Sequence, residues 1–257
     1  MNILCIGDVV GSAGCEMLKA KLPTIKRNYG IDAVIANGEN SADGNGISAQ
    51  SAAEIFDAGV DVITGGNHSL RQNSAWHLHE DNPFVLRPAN MPDAAPGSGY
   101  ALVDFGFTKM AVISLLGTVY LEPMHCPFET ADRLIERAKA DGASIIAVDI
   151  HAEATAEKKA LAFYLDGRVS FVFGTHTHVQ TSDCQVLPQG TGFITDLGMT
   201  GPYLSVLGVK PELSIRKIKD KLPVRFANAE GECILDGCIF SVDRKGNCEK
   251  AESIRIF

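Results

Sequence analysis

The stretch Val169-Ser170-Phe171-Val172-Phe173-Gly174-Thr175-His176-Thr177-His178 decides how the rest of the chain is interpreted. Its apolar first half predicts a buried strand, which Gly174 ends. Two histidines then follow two residues apart, and at extended spacing such side chains point to the same side. Neutral imidazoles directed at one point are typical of a metal site, whereas the alternative is a pair of exposed loop histidines. The residues that end the other strands decide between these two interpretations.

Three earlier strands end in a similar way. Apolar segments at 2–6, 32–36 and 60–64 predict strands in three successive units of the βα type. Side chains that can ligate a metal follow each strand: Asp8; Glu39 and Asn40; Asn67 and His68. In an open α/β sheet, the carboxyl ends of parallel strands share one edge, and ligands bind there. Three such placements in succession predict a site at this edge.

A later predicted strand at 144–150 ends in His151, which completes the set of candidate metal ligands. The set is Asp8, Glu39, Asn40, Asn67, His151, His176 and His178. This mixture of carboxylate, amide and imidazole groups suits manganese, iron or zinc better than calcium. The ligands are too many for one ion and about right for two, which Glu39 could bridge. Two ions about 3.5–4 Å apart clamp a phosphate and activate water, and His68 is placed to act as general acid.

Composition limits the classes of function. The chain has 257 residues, of which 46% are hydrophobic, enough for a sizeable core. Without a long apolar run or the basic start of a signal peptide, we expect a cytoplasmic protein that does not enter a membrane. The net charge of −8 argues against broad nucleic-acid binding. The seven cysteines form no Cys-x-x-Cys pair and are expected to be reduced thiols.

Periodicity and turn residues predict the remaining elements. Helices are expected at 15–29, 48–58, 129–139 and 157–165, and a hairpin at 100–104 and 110–115. We interpret 69–99 as a surface segment, in which His77 and His79 are solvated or stacking residues and not ligands. The alternation within 224–257 predicts antiparallel strands that close a second sheet. With neither an internal repeat nor a linker, we predict a single domain over 1–257 and leave a homo-oligomer open.

The strand-end motifs resemble, in chain order, those of the calcineurin-like metallophosphoesterases. The matching segments are Gly7-Asp8, Gly38-Glu39-Asn40, Gly66-Asn67-His68, His151 and Gly174-Thr175-His176-Thr177-His178. Longer strings are similar to one branch of that superfamily, the YmdB-like phosphodiesterases. Among these strings are Tyr164-Leu165-Asp166-Gly167-Arg168-Val169 and Ile194-Thr195-Asp196-Leu197-Gly198-Met199-Thr200-Gly201-Pro202. The resemblance covers nearly the whole chain.

The resemblance implies an α/β (α+β) fold, a four-layer αββα sandwich of two mixed sheets flanked by helices. It also implies two metal ions, iron or manganese first and zinc or magnesium as alternatives. The implied ligands are Asp8, Glu39, Asn40 and His178 for one ion and Glu39, Asn67, His151 and His176 for the other, with His68 as general acid. The implied activity is hydrolysis of cyclic nucleotides, chiefly 2′,3′-cyclic AMP, by metal-bound hydroxide.

One departure from the superfamily pattern concerns Val10, which stands where a histidine is usual; Asn40 would take over that role. The expected partner is a small cyclic nucleotide, and no stable nucleic-acid complex is expected. Two alternatives stay open. The chain could be a broad phosphomonoesterase or nucleotidase, or a regulatory protein that binds metal and nucleotide and acts through partner proteins.

Overall fold

Two β-sheets stack face to face in the computed structural model, which describes residues 1–43 and 45–257. Within these residues the chain forms thirteen strands and six helices. The first sheet contains β1 (Asn2–Ile6), β2 (Asp8–Val9), β3 (Ala33–Asn37), β4 (Val62–Thr64), β11 (Met199–Pro202), β12 (Cys233–Val242) and β13 (Cys248–Ile256). The second contains β5 (Tyr100–Asp104), β6 (Lys109–Leu116), β7 (Ile145–His151), β8 (Phe171–Thr175), β9 (Gln185–Val186) and β10 (Gly192–Ile194). The helices are α1 (Gly11–Tyr29), α2 (Ala49–Asp57), α3 (Ser74–Asp81), α4 (Pro127–Ala140), α5 (Thr155–Leu165) and α6 (Pro211–Asp220).

Both sheets are mixed. The first has the strand order β2-β11-β12-β1-β3-β4, with β13 paired to β12, and the second has the order β5-β6-β7-β8-β10-β9. Strands β1, β3 and β4 are parallel neighbours in the first sheet, and β6, β7 and β8 are parallel neighbours in the second. The carboxyl ends of these strands therefore gather at one edge of each sheet.

Alternation along the strands explains the layers. In β1, Ile3 and Cys5 pack between the sheets against Phe171 and Phe173, whereas the intervening Leu4 faces α1 and α2. The same alternation in β8 directs Val172 toward α4 and α5. Successive strand residues face opposite sides of a sheet. One face of each sheet therefore packs in the core between the two sheets, and the other face packs in a core against the helices. The predicted four-layer αββα sandwich is confirmed.

The C-terminal strands differ from the prediction. β12 and β13 are antiparallel as expected, but they do not close a second sheet. Instead β12 lies beside β1 in the first sheet, with Cys238 opposite Cys5. Alternation identifies a strand and its faces, but the neighbour of a strand depends on residues more than 200 positions away.

The segment 69–99 contains a helix, α3, that the sequence analysis missed. The interpretation of His79 as a solvated or stacking residue is wrong, because its side chain is buried. Its ring nitrogens lie 3.1 Å from the carbonyl oxygen of Val85 and 3.2 Å from that of Ser69. Burial lowers the pKa of His79, as expected for an imidazole removed from water. His79 therefore links the beginning of the segment, at Ser69, to Val85 within the same segment.

Several helices also differ in their boundaries from the predicted ones. α1 begins at Gly11 and not at residue 15, and it continues through Pro23. α6 was not predicted, although Pro211 at its first turn is a typical start signal. Ser48 caps α2 as expected, with its hydroxyl oxygen accepting from the backbone N–H of Ser51 at 3.1 Å. In the described part of the chain, no helix combines the length and the apolar character that crossing a membrane requires.

Candidate metal centre

All seven predicted metal ligands come together where the carboxyl ends of the parallel strands meet. The first sheet supplies Asp8 at the start of β2, Glu39 and Asn40 after β3, and Asn67 after β4. The second supplies His151 at the end of β7, and His176 and His178 after β8. The strand registers align these ends, because Asn37 of β3 pairs with Thr64 of β4, and His151 of β7 pairs with Thr175 of β8. The stacking of the two sheets thus brings the side chains of the first sheet into contact with those of the second.

Glu39 lies in the middle of this group, with a side chain that is only 1% exposed. Its Oε1 atom is 3.2 Å from His151 Nε2 and 3.2 Å from His68 Nδ1. Its Oε2 atom accepts the backbone N–H of His68 at 2.7 Å. Burial would raise the pKa of Glu39, but the His151 and His68 imidazoles lower it well below its usual range. Glu39 is therefore an ionised carboxylate in contact with both halves of the group.

One half of the group surrounds His151. Its Nε2 atom is 3.0 Å from His176 Nδ1 and 3.1 Å from Asn67 Oδ1. Ligand atoms of Glu39, His151 and His176 all lie within 4.8 Å of one another. Burial would lower the pKa of His151, but the neighbouring carboxylates, Glu39 first, raise it to about 9. A metal ion would displace this proton and take its place beside Glu39.

The other half of the group surrounds Asp8. Asp8 Oδ1 is 3.4 Å from Asn40 Nδ2 and 3.5 Å from His178 Nε2, and the last two atoms are 3.2 Å apart. Asp8 Oδ2 accepts the backbone N–H of His176 at 3.1 Å. Although burial opposes ionisation, the neighbouring His178 lowers the pKa of Asp8. A second ionised carboxylate is thus buried beside the first.

The donor set fits metal cations. Each of the three histidines directs one ring nitrogen into the group, and its other ring nitrogen lies within hydrogen-bonding distance of an acceptor oxygen outside the group. These acceptors are Thr175 Oγ1 for His151 at 2.9 Å, Glu153 Oε2 for His176 at 3.1 Å and the Leu207 carbonyl oxygen for His178 at 3.1 Å. Within the described residues, the ion pairs of Asp8 and Glu39 are all with histidines. Inward ring nitrogens beside two buried carboxylates make a donor set that bound cations would compensate.

The backbone explains why glycine precedes the site residues in two of the motifs. A Cβ atom at Gly66 would lie 2.4 Å from Glu39 Oε2 and 2.4 Å from His151 Nε2. A Cβ atom at Gly174 would lie 1.8 Å from the carbonyl oxygen of Thr195. Ligand side chains therefore pack directly on the backbone of Gly66, and the Thr195 backbone packs directly on that of Gly174, so both positions require glycine.

The two histidines after Gly174 do not reach the site through extended spacing. His176 has φ 103° and His178 has φ 62°, both in the left-handed region that side-chain-bearing residues rarely adopt. As a result they face different halves of the group, His176 toward His151 and His178 toward Asp8. The predicted convergence of the pair on one point is therefore corrected to two neighbouring points. Such strained backbone is common at functional sites.

His68 lies at the mouth of the group, with a side chain that is 20% exposed. Its Nδ1 atom is 2.9 Å from Asn40 Oδ1, so the ring is held against the ligand candidates. For the described residues, this nitrogen and not Nε2 has hydrogen-bonding partners in the protein. Nε2 is thus the ring nitrogen available to a bound molecule.

Supporting residues were missed by the sequence analysis. Lys158 is fully buried, and its Nζ atom donates to Asp196 Oδ2 at 2.7 Å. The same oxygen accepts the backbone N–H of Thr177 at 3.0 Å, which lies between the two site histidines. Asp196 belongs to one of the strings that carried the family resemblance, but nothing in the local pattern around Lys158 separates it from a surface lysine.

Comparison with known proteins gives consistent matches over nearly the whole chain. A family model described as YmdB-like protein matches residues 4–254. A Bacillus subtilis protein named 2′,3′-cyclic-nucleotide 2′-phosphodiesterase is 46% identical over 95% of this chain and 92% of its own. Among solved structures, a hypothetical protein from Thermus thermophilus has a TM-score of 0.93 and 38% identity, covering 100% of this chain and 99% of that one. A novel phosphatase from Mycoplasma pneumoniae has a TM-score of 0.93 and 35% identity, covering 100% and 93%.

Proposed function

This chain belongs to the YmdB-like protein family, and from that premise we propose that it is a metal-dependent phosphodiesterase of cyclic nucleotides, with 2′,3′-cyclic AMP as its main substrate. The observation that carries the proposal is the convergence of carboxylate, amide and imidazole groups from both sheets around Glu39. The name of the Bacillus subtilis relative, at 46% identity, supports the substrate class. The chain is a phosphoester hydrolase, and 2′,3′-cyclic AMP is the finer proposal within that class.

The proposed ligand sets share Glu39. Asp8, Glu39, Asn40 and His178 would hold one ion, and Glu39, Asn67, His151 and His176 would hold the other. The short contacts within each set support this division. Iron or manganese is proposed first and zinc or magnesium second; the mixture of oxygen and imidazole ligands suits iron, manganese and zinc in particular. When bound, such ions neutralise the charge of a phosphate and lower the pKa of water at the centre.

The chain's own contribution to the reaction is proton transfer and orientation. Opening a cyclic phosphate breaks a bond from phosphorus to a ribose oxygen, and that oxygen needs a proton as it leaves. His68 would supply the proton from Nε2, because Asn40 Oδ1 already accepts at Nδ1. Glu39 orients His68 further through its backbone N–H.

The proposed function is tested on purified protein loaded with manganese. We expect about two metal ions per chain by elemental analysis, and faster hydrolysis of 2′,3′-cyclic AMP than of 3′,5′-cyclic AMP or AMP. The same assay on the chelator-treated protein should show turnover only after the metal is restored. Faster hydrolysis of AMP than of either cyclic nucleotide would favour the phosphomonoesterase alternative.

Replacing His68 with Ala should slow hydrolysis of 2′,3′-cyclic AMP by about 10²–10⁴-fold, the usual contribution of a general acid. The metal content should stay unchanged, because His68 is outside both ligand sets. A diester with a nitrophenol leaving group needs little protonation, so its hydrolysis should slow much less. The two substrates are compared by steady-state kinetics on one preparation. Equal slowing of both would contradict the role of general acid.

The remaining expectations stay predictions: a single domain over 1–257, a cytoplasmic location, no stable complex with nucleic acid or membrane, and an open oligomeric state. The net charge of −8 supports the expectation about nucleic acid.

A further inference from the structure

A buried polar cluster lies directly behind His151, on the side away from the candidate ligands. It contains Asp149 and Thr175 from the second sheet and Thr64 and Asn37 from the first, and all four side chains are fully or almost fully buried. The cluster therefore joins the two sheets immediately beneath the site. Buried polar groups of this kind are retained when every member has a partner.

The two threonines bind different oxygens of one carboxylate. Thr64 Oγ1 donates to Asp149 Oδ2 at 2.5 Å, and Thr175 Oγ1 donates to Asp149 Oδ1 at 2.8 Å. The amide of Asn37 adds a third donor to Asp149 at 3.3 Å. Each hydroxyl group thus gives one hydrogen bond to Asp149.

They differ in their relation to His151. Thr175 Oγ1 also lies 2.9 Å from His151 Nδ1, whereas Thr64 makes no such contact within the described residues. A hydroxyl group carries a single proton, and Thr175 gives that proton to Asp149. The 2.9 Å hydrogen bond to Thr175 is therefore donated by Nδ1–H. The Asn37 amide nitrogen lies farther from Nδ1, at 3.4 Å, and does not compete with this shorter bond, so Nε2 is the nitrogen left for a ligand.

We propose that Thr175 and Asp149 are positioning residues that hold His151 with Nε2 directed at Glu39 and thereby set the affinity of the metal ion that His151 would ligate. The inference rests on the metal centre of the proposed function but not on its substrate. It distinguishes His151 from the other two histidines. The acceptor of His178 is a backbone carbonyl, and that of His176 is Glu153, whose side chain is 53% exposed.

Because each threonine gives one hydrogen bond to Asp149, the two supply a closely matched pair of variants. Thr175→Val and Thr64→Val each remove one hydroxyl donor from the same buried carboxylate, but only Thr175→Val removes the acceptor of His151 Nδ1–H. Manganese-loaded proteins are titrated with a chelator, and the metal retained per chain is measured together with the thermal unfolding midpoint of the metal-free forms. Thr175→Ser, which keeps the hydroxyl, serves as the rescue.

We expect Thr175→Val to release one of the two ions at about 10–100-fold lower chelator concentration than wild type, the usual effect of losing an outer partner of a ligand histidine. Thr64→Val should keep the wild-type release curve, although both variants lower the unfolding midpoint to a similar extent. Thr175→Ser should restore retention. Should Thr175→Val fail to fold, Thr175→Ala is compared with Thr64→Ala in the same way.

Equal metal retention in the Thr175 and Thr64 variants would overturn the inference, since it would reduce Thr175 to a structural role. That result would leave the proposed function intact as long as wild type retains metal and turns over substrate. Wild type that retains metal but hydrolyses no cyclic nucleotide would refute the proposed substrate and leave this inference standing. Wild type that retains no metal would refute both.

Discussion

Replacing Glu39 with Gln should reduce turnover of 2′,3′-cyclic AMP by about 10³-fold or more, equivalent to about 4 kcal/mol in activation free energy. Glu39 is the one side chain proposed for both ligand sets, and its oxygens contact residues of both halves of the group. A carboxamide keeps the shape but removes the negative charge and one acceptor oxygen. Metal content should fall below two ions per chain, as measured by elemental analysis beside the kinetic assay.

The matched control is Glu249→Gln, which makes the same chemical change at an exposed position on β13. It should leave turnover and metal content at the wild-type level. Full metal occupancy and unchanged turnover in the Glu39→Gln protein would contradict the assignment of Glu39 as the shared ligand. Loss of turnover with both ions retained would instead point to a role for Glu39 in holding His68.

Replacing Lys158 with Met should lower the free energy of unfolding by about 3–5 kcal/mol, the usual cost of breaking a buried ion pair by removing one partner. The Lys158 and Asp196 side chains are 1% and 0% exposed, and their charged atoms are 2.7 Å apart. Without Lys158, Asp196 would remain buried with only its N–H donors, which include those of Thr177 and Gly198. Urea unfolding of the metal-free proteins measures the difference.

The adjacent residue gives a close control. Lys159 forms an ion pair with Asp183 at 3.0 Å, but its side chain is 42% exposed. Because exposed ion pairs contribute about 0–1 kcal/mol, Lys159→Met should change stability by less than about 1 kcal/mol. Similar losses of unfolding free energy for the two substitutions would contradict the expectation that the buried Lys158–Asp196 pair contributes more than the exposed pair. We also expect Lys158→Met to weaken metal retention, because Asp196 anchors the backbone between His176 and His178.

The sequence by itself determined the class of fold and the chemical identity of the site. Apolar segments followed by glycine and a polar residue mark where parallel strands end, and such ends meet at one edge whatever the details of packing. That is why Asp8, Glu39 and Asn67, which follow strands of the first sheet, could be assigned to one place before their distances were known, whereas His151 reaches them from the second sheet because the two sheets stack. Local periodicity also placed most of the helices and strands.

The tertiary structure alone decided which groups each of these residues contacts. The left-handed backbone at His176 and His178 sends them to different halves of the site, and the placement of β12 beside β1 reverses the expected sheet assignment. The burial of His79 and of Lys158 was likewise not predicted by the local sequence pattern. The physical reason is the same in each case. A local pattern predicts which side chains face the core. The hydrogen-bonding partner of a residue, or the strand next to it, comes from a distant part of the chain that only folding brings close.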